Sequence, residues 1–149
     1  MNELLVVALA AVPVIEVRGA ILLGLARGVP PLQNVLLCTI GSVLPVFPLL
    51  WVLNNLTDNL RKTNKRFDRF FAWLFARTNS KSDIIKKYET IGLLLFIAVP
   101  LPGTGVWTGT VAAYLLRLSW ADTFIASFFG TAIASVCVLL LSLGIINIL

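Results

Sequence analysis

Two ionisable residues, Glu16 and Arg18, stand inside an apolar stretch that runs from Leu4 to Ala26. A charged side chain at the centre of a membrane helix costs about 2.5–3.5 kcal/mol on insertion scales, so such residues are functional or neutralise one another. Residues two apart do not face each other on a helix, and pairing of these two requires irregular backbone. A second apolar run, IAVPLPGTGVWTGTVAAY from Ile97 to Tyr114, carries two prolines and three glycines at its centre. Pro100 and Pro102 fix a turn there, while Gly103 and Gly105 let backbone approach a ligand closely. Thr104 is an N-cap candidate for a helix starting at Thr104–Gly105, and the first break restarts a helix near Glu16–Val17. Each start presents unpaired N–H groups and partial positive charge. With Arg18 beside them they suit an anion, phosphate in particular. Thr108 and Thr110 add hydroxyls, and Trp107 offers an apolar wall with one N–H. In this reading Arg18 is the anion ligand and Glu16 a proton-responsive group; the alternative is a Glu16–Arg18 pair that only fixes the turn. Arg27 and Arg117 each follow a second arm, where they snorkel to the membrane surface or meet an anionic headgroup.

Other chemistry is excluded by composition. The chain has no His, and Cys38 and Cys137 are isolated in apolar stretches, so no metal site or disulfide framework is expected. No Gly-rich loop ends in Lys-Ser or Lys-Thr to cradle ATP. Glu16 without a second acid or an activated nucleophile makes no catalytic set. The expectation is a non-enzyme without cofactor, in which any transport is passive or gradient-driven.

The elements that position these residues follow from hydropathy. With 58 per cent hydrophobic residues and a mean hydropathy of +0.94, the 149-residue chain reads as one all-α integral membrane domain. MNELLVVALA lacks the positive n-region of a cleaved signal, and this end is read as retained. Segments 33–56 and 120–149 are long enough to span about 30 Å of hydrocarbon. Segments 4–27 and 91–117 are broken by VPVIEVRG and PLPGTG into arms of about half a membrane each. The expected geometry is a re-entrant helical hairpin in each case, against the alternative of a kinked spanning helix. Each hairpin precedes a transmembrane span, which makes residues 1–56 and 91–149 two similar units, with AVP at Ala11–Pro13 and again at Ala98–Pro100. A hairpin crosses zero times and a span once, so the repeat inverts, as in many secondary transporters.

Residues 57–90 join the units. Their nine cations against four acids account for the whole net charge of +5. Leu60, Phe67, Phe70, Phe71 and Leu74 recur at near-helical spacing, predicting a basic amphipathic helix on an anionic inner leaflet. Basic excess places this linker on the cytoplasmic side of the membrane, with both termini outside; a four-span chain has both inside. Membrane lipids, anionic headgroups included, are the expected partners, and nucleic acid is not. Small-residue patterns at Gly24–Gly28 and Gly105–Gly109 favour close helix packing and point to a homodimer.

PVIEVRGAILLGLARGVP and VPLPGTGVWTGTVAAYLL together resemble the small multidrug export protein family, distant relatives of the DedA and VTT-domain membrane proteins. The resemblance covers both hairpins and nearly the whole chain. It implies paired re-entrant hairpins, translocation of lipids including polyprenyl phosphate, and a site at Glu16, Arg18, Pro102, Gly103, Thr104 and Gly105. The DedA proteins carry a further acid beside their Pro-Gly turn, where this chain has Thr104 and Gly105. Three functions remain open: a flippase- or scramblase-like translocase for an amphiphilic anion, an exporter of organic cations, and a non-transporting membrane organiser.

Overall fold

The computed structural model describes residues 2–13, 15–63, 65–66, 68–69, 72–73, 76, 83–100 and 104–146; these are helical or in short turns, with no strand among them. Among the described residues, seven helices can be bounded, in order: α1 (Asn2–Ala11), α2 (Glu16–Ala26), α3 (Pro31–Val43), α4 (Val46–Thr63), α5 (Asp83–Ala98), α6 (Val106–Leu115) and α7 (Trp120–Ile146).

Both broken runs are indeed interrupted. The helices α1 and α5 stop at the alanine of their AVP triplets, because a proline two residues on disfavours helical backbone before it and donates no N–H. Their continuations α2 and α6 have 11 and 10 residues, about 15 Å at helical rise, half a hydrocarbon core. The second run differs from expectation at its start: α5 begins at Asp83, so one helix crosses position 90, where the sequence reading ends the linker.

The long helices have the length the sequence requires. Pro31–Thr57 and Trp120–Gly144 are long and apolar enough to span a membrane. Pro31 opens α3 at its first position, where a missing N–H is harmless. The α3–α4 junction falls at Leu44–Pro45; neither Pro45 nor Pro48 can donate to the helical ladder there. Ser119 starts α7 by accepting the Asp122 N–H at 3.0 Å and donating to the Asp122 carboxylate at 2.7 Å. Large apolar side chains such as Leu36, Trp51 and Leu140 are exposed on these helices, as befits a membrane protein. In the linker, Lys65, Arg66, Arg69 and Trp73 are helical and exposed, while Phe67, Phe70, Phe71 and Leu74 lie outside the described residues.

Two cores stack along the long helices. One joins Val6, Ala10, Ile21 and Cys38 to Ala134 and Val138. The other joins Val46, Leu50, Leu93 and Val106 to Ala126. They meet where α3 and α7 present glycine: a Cβ on Gly41 would press on the Val7 carbonyl, and one on Gly130 on the Leu94 carbonyl. Gly41 and Gly130 stand 89 residues apart, and Val7 and Leu94 stand 87 apart, so each first arm crosses its following long helix in the same way.

Candidate functional site

The two breaks come together at this seam. Glu16, the first residue of α2, takes φ 45°, a left-handed conformation that costs an L-residue on the order of 1–3 kcal/mol and recurs at functional sites. Its Oε1 accepts the Trp107 backbone N–H at 3.5 Å, and the carboxylate also faces the Val106 amide. These are the first two residues of α6, so the Glu16 carboxyl group meets the N-terminus of the opposite half-length helix.

Glycine at position 105 makes this approach possible. Gly105 is the N-cap of α6, and a Cβ there would overlap the Glu16 carboxylate. The cap expected at Thr104 therefore shifts one residue on, to a position whose missing side chain leaves room for Glu16. Thr108 closes the turn by accepting the Gly105 N–H at 3.0 Å. Thr104 instead donates to the Val99 carbonyl at 2.7 Å.

Arg18 also reaches across. Its Nη2 donates to Thr104 Oγ1 at 3.0 Å, to the Thr104 carbonyl, and to the Val99 carbonyl at 3.4 Å. Val99 follows the last residue of α5, whose final carbonyls have no helical partner. No ion pair joins Glu16 and Arg18 among the described residues, and each makes its hydrogen bonds with the second break. Trp107 does the reciprocal work: its Nε1–H donates to the Ala11 carbonyl at 3.2 Å, at the end of α1. Arg18 and Trp107 are 89 residues apart, and each caps the first arm of the other unit.

A cavity of about 710 Å³ opens beside these groups, a size that admits a drug-sized molecule. Ile15, Leu22 and Leu23 give it an apolar wall, and Glu16, Arg18 and Thr108 its polar end. Trp107 lines it as well. Thr110 does not: it is buried and donates to the Val106 carbonyl at 2.7 Å. Pro102 and Gly103 lie outside the described residues. Arg27 and Arg117 are exposed at the far ends of α2 and α6, away from this cavity.

Sequence reasoning missed the polar face of α7. Thr123, Ser127, Thr131 and Ser135 recur every fourth residue and are all fully buried, a stripe visible in the spacing once α7 is granted to be helical. Ser135 meets Thr39 of α3 at 3.3 Å. Thr131, with Ser42, lines a second, much smaller cavity against Glu16, Arg18 and Thr104. It also missed Asn34, buried on α3, which donates to the Ile21 carbonyl at 2.8 Å and fills the space a Cβ on Gly24 would need.

Residues 16–137 match a family model described as "Putative small multi-drug export protein". No curated protein and no solved structure matches the chain.

Proposed function

Because the chain belongs to the small multi-drug export protein family, we propose that this membrane protein transports a small amphiphile carrying an anionic group, with a lipid phosphate such as a polyprenyl phosphate as the leading candidate. The observation that carries the reading is the cavity of about 710 Å³, apolar along α2 and ending at Arg18 and the start of α6. An apolar tail follows Leu22 and Leu23, and the anionic group is read by the α6 amides and the guanidinium.

In this reading Glu16 is the resident anion of the seat. A ligand's phosphate occupies the α6 N-terminus when the carboxylate leaves it, and protonation of Glu16 favours that departure. Neutral Gln at position 16 therefore removes the pH dependence of transport. The paired short helices are re-entrant hairpins that enter from opposite leaflets and make the two units an inverted repeat. The basic linker faces the cytoplasm of the plasma membrane, against anionic headgroups, and both termini lie outside. Accessibility of terminal cysteine labels in intact cells tests that topology, since four full crossings leave both termini inside.

A second reading has its own support, because the Glu16 carboxylate lines the same cavity and attracts an organic cation. Liposomes reconstituted with the protein separate the two. Flipping of a labelled lipid phosphate faster than in empty vesicles, abolished by Arg18→Ala, supports the anion reading. Uptake of an organic cation that survives Arg18→Ala and fails with Glu16→Gln replaces it with the second.

A further inference from the structure

Four buried hydroxyls show what a threonine or serine in these helices ordinarily does. Thr39, Thr110, Thr123 and Ser142 each donate to the carbonyl four residues earlier, at 2.8, 2.7, 2.9 and 2.6 Å, the usual way a hydroxyl is satisfied inside an apolar helix. Like Ser127 one turn before it, Thr131 makes no such bond. It is fully buried on α7, and its Oγ1 has no hydrogen-bond partner among the described residues.

Its counterpart in the first unit sharpens the point. Ser42 stands 89 residues before Thr131, one residue after the glycine that carries the helix crossing, and it donates to the Ala10 carbonyl at 3.1 Å. At the matching crossing Thr131 leaves the first-arm backbone alone. A second orphan lies nearby: Arg18 Nε is buried and also lacks a partner. An unsatisfied buried donor costs on the order of 1–3 kcal/mol, and native structures rarely tolerate two together.

Both residues line one small cavity, with Glu16, Ser42 and Thr104 around it. It offers about 10 Å³ to a water-sized sphere, which is room for about one molecule. We infer that this cavity is an internal hydration site, in which one water accepts from Arg18 Nε–H and exchanges a hydrogen bond with Thr131 Oγ1. Thr131 is thereby a positioning residue: through the water it fixes the guanidinium whose Nη2 already spans Val99 and Thr104, and it ties α7 to the junction of the two breaks. Water fits better than a metal cation, which the Arg18 charge repels. It also fits better than a halide, which the Glu16 carboxylate repels.

The test is nuclear magnetic resonance of the full chain in nanodiscs, with ¹⁵N-labelled arginine and the Arg18 signal assigned by its loss in Arg18→Lys. A cross-peak from Arg18 Nε–H to a slowly exchanging water is expected in the unaltered protein. Thr131→Val should abolish it and speed Nε–H exchange about tenfold, the scale of one net hydrogen bond, while Thr131→Ser restores both. Absence of the cross-peak in the unaltered protein overturns the proposal, whether or not the variants fold. So does its persistence in Thr131→Val. A shift of the Arg18 signal that saturates with chloride would show a halide site instead and overturn the assignment to water.

Discussion

The two broken units share their packing and differ in who supplies the charge. Each first arm ends at an AVP alanine, crosses a glycine of its long helix, and has its last carbonyls met by a donor from the other unit. At the start of the second arm the symmetry fails. The first unit places Glu16 there and the second, 89 residues on, places Gly105. The acidic side chain of one occupies the space left by the missing side chain of the other, so a single carboxylate serves the junction. A shared packing scheme thus holds both runs, whereas their junction is built where they differ, a carboxylate against a glycine.

The shared packing is open to the strongest blow. Gly41→Val and Gly130→Val each drive a side chain into a backbone carbonyl across a helix crossing, where no flexible atom can give way. Each should destabilise by about 2–3 kcal/mol, read as the shift of the unfolding midpoint in detergent. Similar losses confirm that the two crossings are equivalent; a loss confined to one breaks the comparison.

Next in size is the disagreement itself. Gly105→Ala sets a methyl group against the Glu16 carboxylate and should destabilise by about 1–3 kcal/mol while lowering transport. In a Glu16→Ala background the same change should cost far less, a coupling of about 1–2 kcal/mol in a double-mutant cycle. Additive costs would mean that the glycine is there for another reason.

How much of this was legible in the sequence follows from what the residues need. Pro13 and Pro100 announce their breaks because proline acts through local backbone geometry. Glu16 and Arg18 stand out because charge is rare in apolar segments. Their partners were not legible. Spacing shows that two residues apart on a helix cannot meet, but not that both turn to a segment nearly ninety positions away. Thr104 reads as a cap because threonine often is one; only the approach of Glu16 shows why glycine takes the position. Thr131 was not singled out, since a small polar residue in a long apolar span gives no sign that its hydroxyl lacks the usual bond.

The reciprocal caps are a smaller test. Trp107→Phe keeps the ring and removes the donor to the Ala11 carbonyl, and should cost about 1 kcal/mol. Arg18→Leu removes donors to Val99 and Thr104 together and should cost about 1.5–3 kcal/mol in the same unfolding measurement. Equal losses would mean that Arg18 holds the second unit no more firmly than Trp107 holds the first.

The smallest effect lies at the far ends of the second arms, where the two units solve one problem with different residues. Val29 N–H donates to the Gly24 carbonyl and Leu118 N–H to the Ala113 carbonyl, both at 3.0 Å, closing α2 and α6 with the same i to i+5 bond. That closure needs a left-handed residue before the donor. Gly28 takes φ 76° at no steric cost, whereas Arg117 takes φ 54° against its own Cβ. Gly28→Ala should therefore destabilise by about 1 kcal/mol. In Arg117→Gly, relief of the left-handed strain offsets the greater freedom of glycine in the unfolded chain, so stability should change by no more than about 1 kcal/mol. A large loss in Arg117→Gly would show that the arginine side chain, which is exposed but not without contacts, holds this end in place. The second unit would then differ from the first at both ends of its second arm.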